Sequence, residues 1–327
     1  MNTFGRQFKV SIFGESHGES VGITIDGCPP GVPLLTEDLM TDILRRKSGA
    51  KGTTPRIESD LPQIISGVFN HKTTGAPITI LFANNNIKSK DYSNLLKHPR
   101  PGHSDFVAMK KYKGFNDYRG GGYFSGRLTL ALVAAGSIAK KIVPHITISA
   151  KLKEVGGSKN IDEAVQKALE SKNSIGGIVE CSATGIPIGL GEPFFGSIHA
   201  KLSQIVFSIP AMKGIEFGAG FFATKMTGEE HNDNIIDETG KTETNNAGGI
   251  SGGISNGNDL LFRVAVKPTS SISTPQETYN FESGTIETLL IEGRHDTCIA
   301  LRVPPVIEAV TAIVLADLSR IMIDAKL

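Results

Sequence analysis

The chain has 327 residues, 39% of them hydrophobic and 20% charged, and its 34 basic and 33 acidic side chains leave a formal net charge of +1. That balance argues against a general binder of nucleic acid or of acidic membrane surfaces, so any cationic site has to be assembled locally. Glycine is enriched at 37 residues, with no collagen-like period, which points to turns and ligand-approaching loops.

Residues 8–13 (FKVSIF) and 21–25 (VGITI) read as strands joined by the polar turn GESHGES, which places His17 at one end of a hairpin. CPPGVP breaks the structure, and Thr36 is the expected N-cap of a helix over TEDLMTDILRRK. That helix is acidic early and basic late, and Leu39, Met40, Ile43 and Leu44 share one face. Residues 45–56 (RRKSGAKGTTPR) are basic, glycine-rich and without hydrophobic anchors. They read as a solvated loop or as an anion-clamping loop. A nucleic-acid role is weaker, because no aromatic residues are interleaved for stacking.

Residues 63–69 and 77–82 read as strands. Residues 127–143 (RLTLALVAAGSIAKKIV) read as a helix that is apolar on nearly every side and therefore buried, with Ala134, Ala135 and Gly136 permitting close packing. Residues 149–172 look like a peripheral charged segment carrying one amphipathic helix at 161–171. A strand at 177–183, a helix at 197–209 ending at Pro210 and a short strand at 214–218 follow. Residues 229–243 read as an acidic, mobile excursion, and residues 245–257 (NNAGGISGGISNG) as a second glycine-dense loop. A strand at 259–266 leads into KPTSSI, residues 289–292 lead into GRHD, and residues 305–321 form a second mostly apolar helix. The two halves share this rhythm. A single domain with pseudo-repeat halves at about 1–145 and 146–327 is expected.

The stretch from Pro99 to Arg127 concentrates PRPGHSDF and DYRGGGYFSGR, with a triple glycine beside a helix start at Ser125. Glycines let backbone approach a ligand, helix N-termini offer unpaired N–H groups, and arginine forks fit carboxylate and phosphate. Arg100, His103, Arg119 and Arg127 therefore suggest a site for a small anion. In GESHG, His17 beside Ser16 can exchange protons near neutral pH. A serine nucleophile has no G-x-S-x-G context, and neither histidine has metal-ligand companions. In GRHD, Arg294 and Asp296 face the same side of an extended segment. KPTSS is a lysine with hydroxyls after a strand; no P-loop and no dinucleotide fingerprint is present. Together these residues predict a pocket lined by Arg46, Arg100, Arg127 and Arg294, with His17, His103 and Asp296 handling protons. Cys28, Cys181 and Cys298 are far apart and unpaired in pattern, and neither a signal peptide nor a spanning segment is visible. A cytoplasmic protein without nucleic-acid or membrane partners is expected.

GESHG, RPGHSD, DYRGGG, SIPAMKG with IEFGAGF, NNAGGISGGIS, KPTSSI and GRHD occur in that order along the whole chain. The ordered set resembles the chorismate synthase family. The resemblance implies an α+β fold: a sandwich of antiparallel β-sheets around a helical core, internally duplicated, assembled as a homotetramer. It implies a carbon–oxygen lyase acting on 5-enolpyruvylshikimate 3-phosphate, by anti-1,4-elimination of phosphate and a ring proton to give chorismate. Reduced FMN (FMNH2) is implied as cofactor, lending an electron transiently with no net redox change.

Carried over by position, His17 acts as general acid at the departing phosphate and His103 lies near the pyrimidine end of the flavin. Asp296, supported by Ser16, moves the ring proton. Arg46, Arg100, Arg127, Arg294 and Lys51 hold the substrate's anionic groups. Flavin contacts fall on Tyr123, Phe124, Ser125, Pro210, Ala211, Gly252, Lys267, Pro268, Thr269, Ser270, Ser271 and Arg294. Two departures stand out. The family's R-S-S-A-R after the triple glycine is here Tyr123-Phe124-Ser125-Gly126-Arg127, and Lys51 replaces an arginine of the family's R-R-R-P-G-x-x-R loop, a point charge for a fork. With no nicotinamide fingerprint, a separate NAD(P)H-dependent flavin reductase is the expected partner. The alternative is a non-catalytic flavin- or phosphometabolite-binding relative of the family.

Overall fold

The structure is a computed structural model that describes residues 2–86, 95–291, 293 and 295–324. In the first half, β1 (Thr3–Phe4), β2 (Lys9–Gly14) and β3 (Ser20–Asp26) precede α1 (Thr36–Arg46). There follow β4 (Gln63–Ile64), β5 (Val68–Phe69), β6 (Lys72–Thr73), β7 (Ile78–Ala83), the short α2 (Asp105–Lys111) and α3 (Thr129–Ile142). The second half begins with β8 (Thr147–Val155), α4 (Ile161–Glu170), β9 (Gly177–Thr184), α5 (Ile198–Ser208), β10 (Met212–Phe217) and α6 (Gly228–His231). It ends with β11 (Ile250–Ser251), β12 (Ile254–Ser255), β13 (Leu260–Val266), β14 (Gln276–Asn280), β15 (Thr285–Leu289) and α7 (Pro304–Asp324).

Two sheets, ordered β1-β2-β3-β7-β4 and β10-β13-β9-β8, enclose the helices. All their described pairings are antiparallel. Setting aside β1, the small hairpins and helices α2, α4 and α6, each half runs ββαββα, and the strands fall in the same order: β2-β3-β7-β4 in one sheet and β8-β9-β13-β10 in the other. The shared rhythm of the sequence is thus a repeated topology.

Between the sheets, α3 and α7 lie against one another, α3 facing β3 and β7, and α7 facing β8 and β9. Their all-round apolar character follows from this position, with α3 buried continuously from Thr129 to Ala139. The contact is close enough that a Cβ at Gly136 would stand 2.3 Å from the Cβ and 2.4 Å from the Cα of Ala309. The two buried acids of α7 are fully engaged. Glu308 accepts both terminal nitrogens of Arg45 at 2.7 Å, Lys140 Nζ at 3.2 Å and the Ala150 N–H at 3.0 Å, tying α1, α3 and β8 to α7. Asp317 Oδ1 accepts the N–H groups of Arg6, Gln7 and Phe8 at 2.9, 2.6 and 2.9 Å, pinning the N-terminal segment to the core.

The structure departs from the sequence reading at several places. Leu35, not Thr36, is the N-cap of α1, because the Asp38 carboxylate accepts the Leu35 N–H at 2.7 Å. Residues 147–155 are a sheet strand and not a peripheral charged segment. Helix α2 and the β14–β15 hairpin were not anticipated. The acidic excursion is pinned by Asp233, which accepts the N–H groups of Asn246 and Ala247 at 2.7 and 2.9 Å and the Thr244 hydroxyl at 2.6 Å. The loop over residues 45–56 is anchored too: the Gly52 carbonyl accepts the Cys298 N–H at 2.9 Å, and the Arg46 carbonyl accepts Arg302 Nε at 3.0 Å.

A Gly136→Ala substitution gains helix propensity but drives a methyl into Ala309. Equilibrium denaturation is expected to show a net loss of about 1–3 kcal/mol, with Gly136→Val losing more.

Candidate active site

Where α3 and α7 begin, the chain encloses a cleft of about 180 Å³. Its apolar lining comes from the second half: Ile209 and Pro210 at the end of α5, with Ile299, Val303 and Val306 at the start of α7. Its charged lining is Arg46, Arg56, Arg100, Arg127 and Arg302 together with Glu58, Asp60 and Asp296.

The His17 loop joins β2 to β3, whose pairing ends at Gly14 opposite Val21. It is held from both sides. Asn84 Nδ2 donates to the carbonyls of Glu15 and Gly18 at 3.0 and 2.8 Å, and the Ser16 N–H donates to the Gly122 carbonyl at 3.1 Å. The triple glycine is required here. Gly120, Gly121 and Gly122 have φ of 58°, 81° and 53°, and a Cβ on Gly120 would stand 2.5 Å from His17 Cδ2. His17 is 4% exposed. Burial first, then the charges of Arg56 and Arg119, lower its pKa to about 4, against the opposing pull of Asp117 and Glu58.

Each cleft arginine is fixed by named partners. Arg127 Nη1 meets Asp60 Oδ1 at 2.8 Å, and its Nε donates to Asn84 Oδ1. Arg56 reaches Glu58 Oε1 through Nε at 3.0 Å and Nη2 at 2.7 Å. Arg100 forks onto Asp105 at 2.7 and 2.8 Å, and also donates to Ser271 Oγ at 2.9 Å. His103 Nδ1 lies 2.6 Å from Asp105 Oδ1 and 3.1 Å from Arg100 Nη2. Burial would raise the pKa of Asp105, but the hydrogen bonds and charges of Arg100 and His103 outweigh it and hold the carboxyl below its ordinary range. For His103, burial wins over the Asp105 hydrogen bond and lowers the pKa. Asp296 Oδ1 accepts the Thr54 N–H at 2.9 Å, and the carboxylate faces Arg302 Nη1 at 3.4 Å. Arg46 is buried and braces the start of α3, with Nε on Thr129 Oγ1 at 2.9 Å and Nη2 on the Gly126 carbonyl at 2.8 Å. Lys267 Nζ donates to the Gly102 carbonyl at 2.8 Å and lies 2.7 Å from Ser270 Oγ, joining the KPTSS loop to the GHSD turn.

Of the residues predicted from sequence, Ser16, Arg46, Arg100, Ser125, Arg127, Pro210, Thr269 and Asp296 line the cleft. His17 abuts the lining residue Gly120, while His103, Ser271, Lys267 and Ser270 cluster around Arg100 and Gly102. Ala211 follows Pro210 in a left-handed conformation, with φ +72°. Several expected residues point elsewhere. The Tyr123 hydroxyl donates to the Ile12 carbonyl at 3.2 Å, because the ring packs back onto the core. Phe124 lies by the Tyr112 ring, 6.3 Å between centroids. Lys51 is exposed in a turn, Pro268 is exposed, and Arg119 closes its fork on Asp117 at 2.8 Å. Gly252 sits in the exposed β11–β12 turn, where the neighbouring Gly253 carbonyl accepts the Ile198 N–H at the start of α5. Pro210 follows the other end of that helix, about 16 Å away at 1.5 Å per residue. Arg294 lies outside the described residues.

Sequence reasoning missed Arg56, Glu58, Asp60 and Arg302. For the first three a signal existed: in RIESD they alternate, so an extended segment presents all three on one face.

The family model for chorismate synthase matches residues 8–319. The chain belongs to the chorismate synthase family. A chorismate synthase from Chitinophaga pinensis is 64% identical over 318 residues, covering 97% of this chain and 96% of that one. One from Methanocaldococcus jannaschii is 42% identical over 363 residues, with 97% and 96% covered. A chorismate synthase crystal structure superposes with a TM-score of 0.72 at 25% identity, covering 96% of this chain and 92% of the other. That likeness bears out the expected fold of antiparallel sheets around a helical core.

The burial of His17 has a measurable consequence. Its folded-state pKa lies below the unfolded value of 6.5, so the neutral ring is the form that folding favours. The stability it contributes is complete above pH 6.5 and is lost as the pH falls towards about 4. In the ligand-free protein, NMR titration is expected to find the His17 imidazole neutral at pH 6, with its midpoint near 4.

Proposed function

We propose that this chorismate synthase family member is a lyase that converts 5-enolpyruvylshikimate 3-phosphate to chorismate, by anti-1,4-elimination of phosphate and a ring proton, with reduced FMN bound. The lining of the cleft carries this reading. Its five arginines exceed Glu58, Asp60, Asp296 and the Asp105 that pairs with Arg100 by one, a cationic excess that suits a ligand bearing a phosphate and two carboxylates. Each charge-assisted hydrogen bond to such a ligand contributes about 1.5–3 kcal/mol.

The residues also fit a flavin. Ile209, Pro210, Ile299, Val303 and Val306 offer an apolar wall to a flat ring. Lys267, Ser270 and Ser271, next to Arg100 and His103, offer donors to its polar edge. When bound, reduced FMN supplies electron density to the substrate without net redox change.

The remaining steps belong to the protein. Beside the cleft, burial and nearby arginines hold the His17 pKa down to about 4, and a phosphate dianion bound next to it raises its proton affinity, so it is charged only when the leaving group is in place. It then donates to the departing phosphate. Asp296, oriented by the Thr54 N–H and by Arg302, takes up the ring proton, with Ser16 in the same cleft in support. His103, kept neutral by burial, is a hydrogen-bonding partner for the flavin edge. A homotetramer in the cytoplasm, with flavin reduced by a separate NAD(P)H-dependent reductase, completes the reading. Among the described residues no helix is long and apolar enough to cross a membrane.

An anaerobic assay with photoreduced FMN and the enolpyruvyl substrate tests it by phosphate release. The wild-type chain is expected to turn over, and NADPH with oxidised FMN alone is expected to give almost none. His17→Ala should keep substrate binding and lose about 10²–10⁴ in turnover. Asp296→Asn should keep flavin binding and slow proton loss. Tight binding without any turnover would instead identify the non-catalytic relative.

A further inference from the structure

We propose that Arg56 is a positioning residue for the proton-donating loop: anchored on Glu58, its guanidinium clamps Ser16 at two atoms and so fixes where His17 stands. The inference rests on the reading of His17 as the proton donor.

Arg56 Nη1 donates to Ser16 Oγ and Nη2 to the Ser16 carbonyl, each at 3.2 Å. The anchor is rigid in turn. Glu58 is 5% exposed, and its second oxygen accepts the N–H groups of Asn85 and Asn86 at 2.9 and 3.1 Å. A chain of fixed groups therefore runs from the backbone after β7 through Glu58 and Arg56 to the residue before His17. The glycine turn also abuts this loop: a Cβ at Gly120 would stand 2.5 Å from His17 Cδ2 and 3.0 Å from Ser16 Oγ. The loop is thus held by a glycine surface at His17 and by an arginine fork at Ser16.

The charged groups acting on His17 are Arg56 and Arg119 on one side of the balance and Asp117 and Glu58 on the other, with Arg56 the foremost charge. Only an arginine can do both jobs. A lysine at this place keeps a positive charge but has no planar fork to span the Ser16 hydroxyl and carbonyl.

Three variants separate the roles. Arg56→Lys should leave the ligand-free His17 titration near its wild-type midpoint yet lower kcat about 10²-fold, with little change in KM, because a loop displaced by an ångström loses alignment. Arg56→Gln should raise the His17 midpoint by about one unit and move the pH profile of kcat with it. Removing Arg56 alone strands a buried carboxylate, so if the single variant does not fold, the double variant Arg56→Gln/Glu58→Gln is read by kcat instead: it loses two opposing charges on His17, and kcat should still fall about 10²-fold because the fork on Ser16 is gone. The titration is read by NMR on the ligand-free protein and does not depend on the substrate. If the wild-type chain releases no phosphate, the functional reading fails while the Arg56–His17 coupling is still measured. A folded Arg56→Gln variant with an unmoved His17 midpoint, or an Arg56→Lys or double-variant enzyme with wild-type kcat, would overturn the proposal.

Discussion

Like charges crowded into a small space set the terms for this fold. Five guanidinium groups face a cleft of about 180 Å³. Two unit charges 4 Å apart repel by about 4 kcal/mol at the effective dielectric of a protein surface. Such a cluster stands only where carboxylates are built in beside it, and here they are: Asp60 on Arg127, Glu58 on Arg56, Asp105 on Arg100 and Asp296 on Arg302. These acids do more than cancel charge. Each fixes the plane and direction of its guanidinium before a ligand arrives, which is the preorganisation that electrostatic catalysis needs. A chain of net charge +1 can thereby hold a strongly directional cationic site without becoming a polycation.

The location of the cleft follows from the repeated topology. In each half a helix ends and another begins at the same level, so Arg46 at the end of α1 corresponds to Ile209 and Pro210 at the end of α5. The start of α3 likewise corresponds to the start of α7. The sequences at these equivalent points differ in character. The approach to α3 keeps its donors and adds Arg127, whereas α7 opens with Pro304 and Pro305, which have no N–H to offer an anion. The first half supplies most of the charge, joined by Asp296 and Arg302 of the second, and the second half supplies the apolar surface.

Much of this was legible in the sequence, for physical reasons. The hairpin around His17 announces itself by strand alternation on either side of a polar turn, and α3 and α7 by apolar residues on all faces. Strand β8 was obscured because one face of it meets solvent, so Lys151, Lys153 and Glu154 dominate its composition while Ala150 and Val155 alone are buried. The arginines could be found individually, but their distant partners could not. The pair Arg127–Asp60 spans 67 positions of chain, and Arg45–Glu308 spans 263. Such pairings depend on how elements stack, not on local pattern.

The two departures from the family's motifs take on meaning in this setting. Tyr123 stands where the family carries an arginine, and it ties the glycine turn to β2 through the Ile12 carbonyl. The Ser16 N–H ties the same turn to the loop at the end of β2. The triple glycine, the His17 loop and the hairpin are therefore fastened as one body, by neutral hydrogen bonds that add no further charge to the cleft. Lys51 lies exposed at the middle of the basic loop. The ends of that loop turn inward instead, Arg46 under α3 and Arg56 under Ser16. Its cationic function rests on those two fixed ends, where a guanidinium has partners to orient it, and the exposed middle is free to carry a simple point charge.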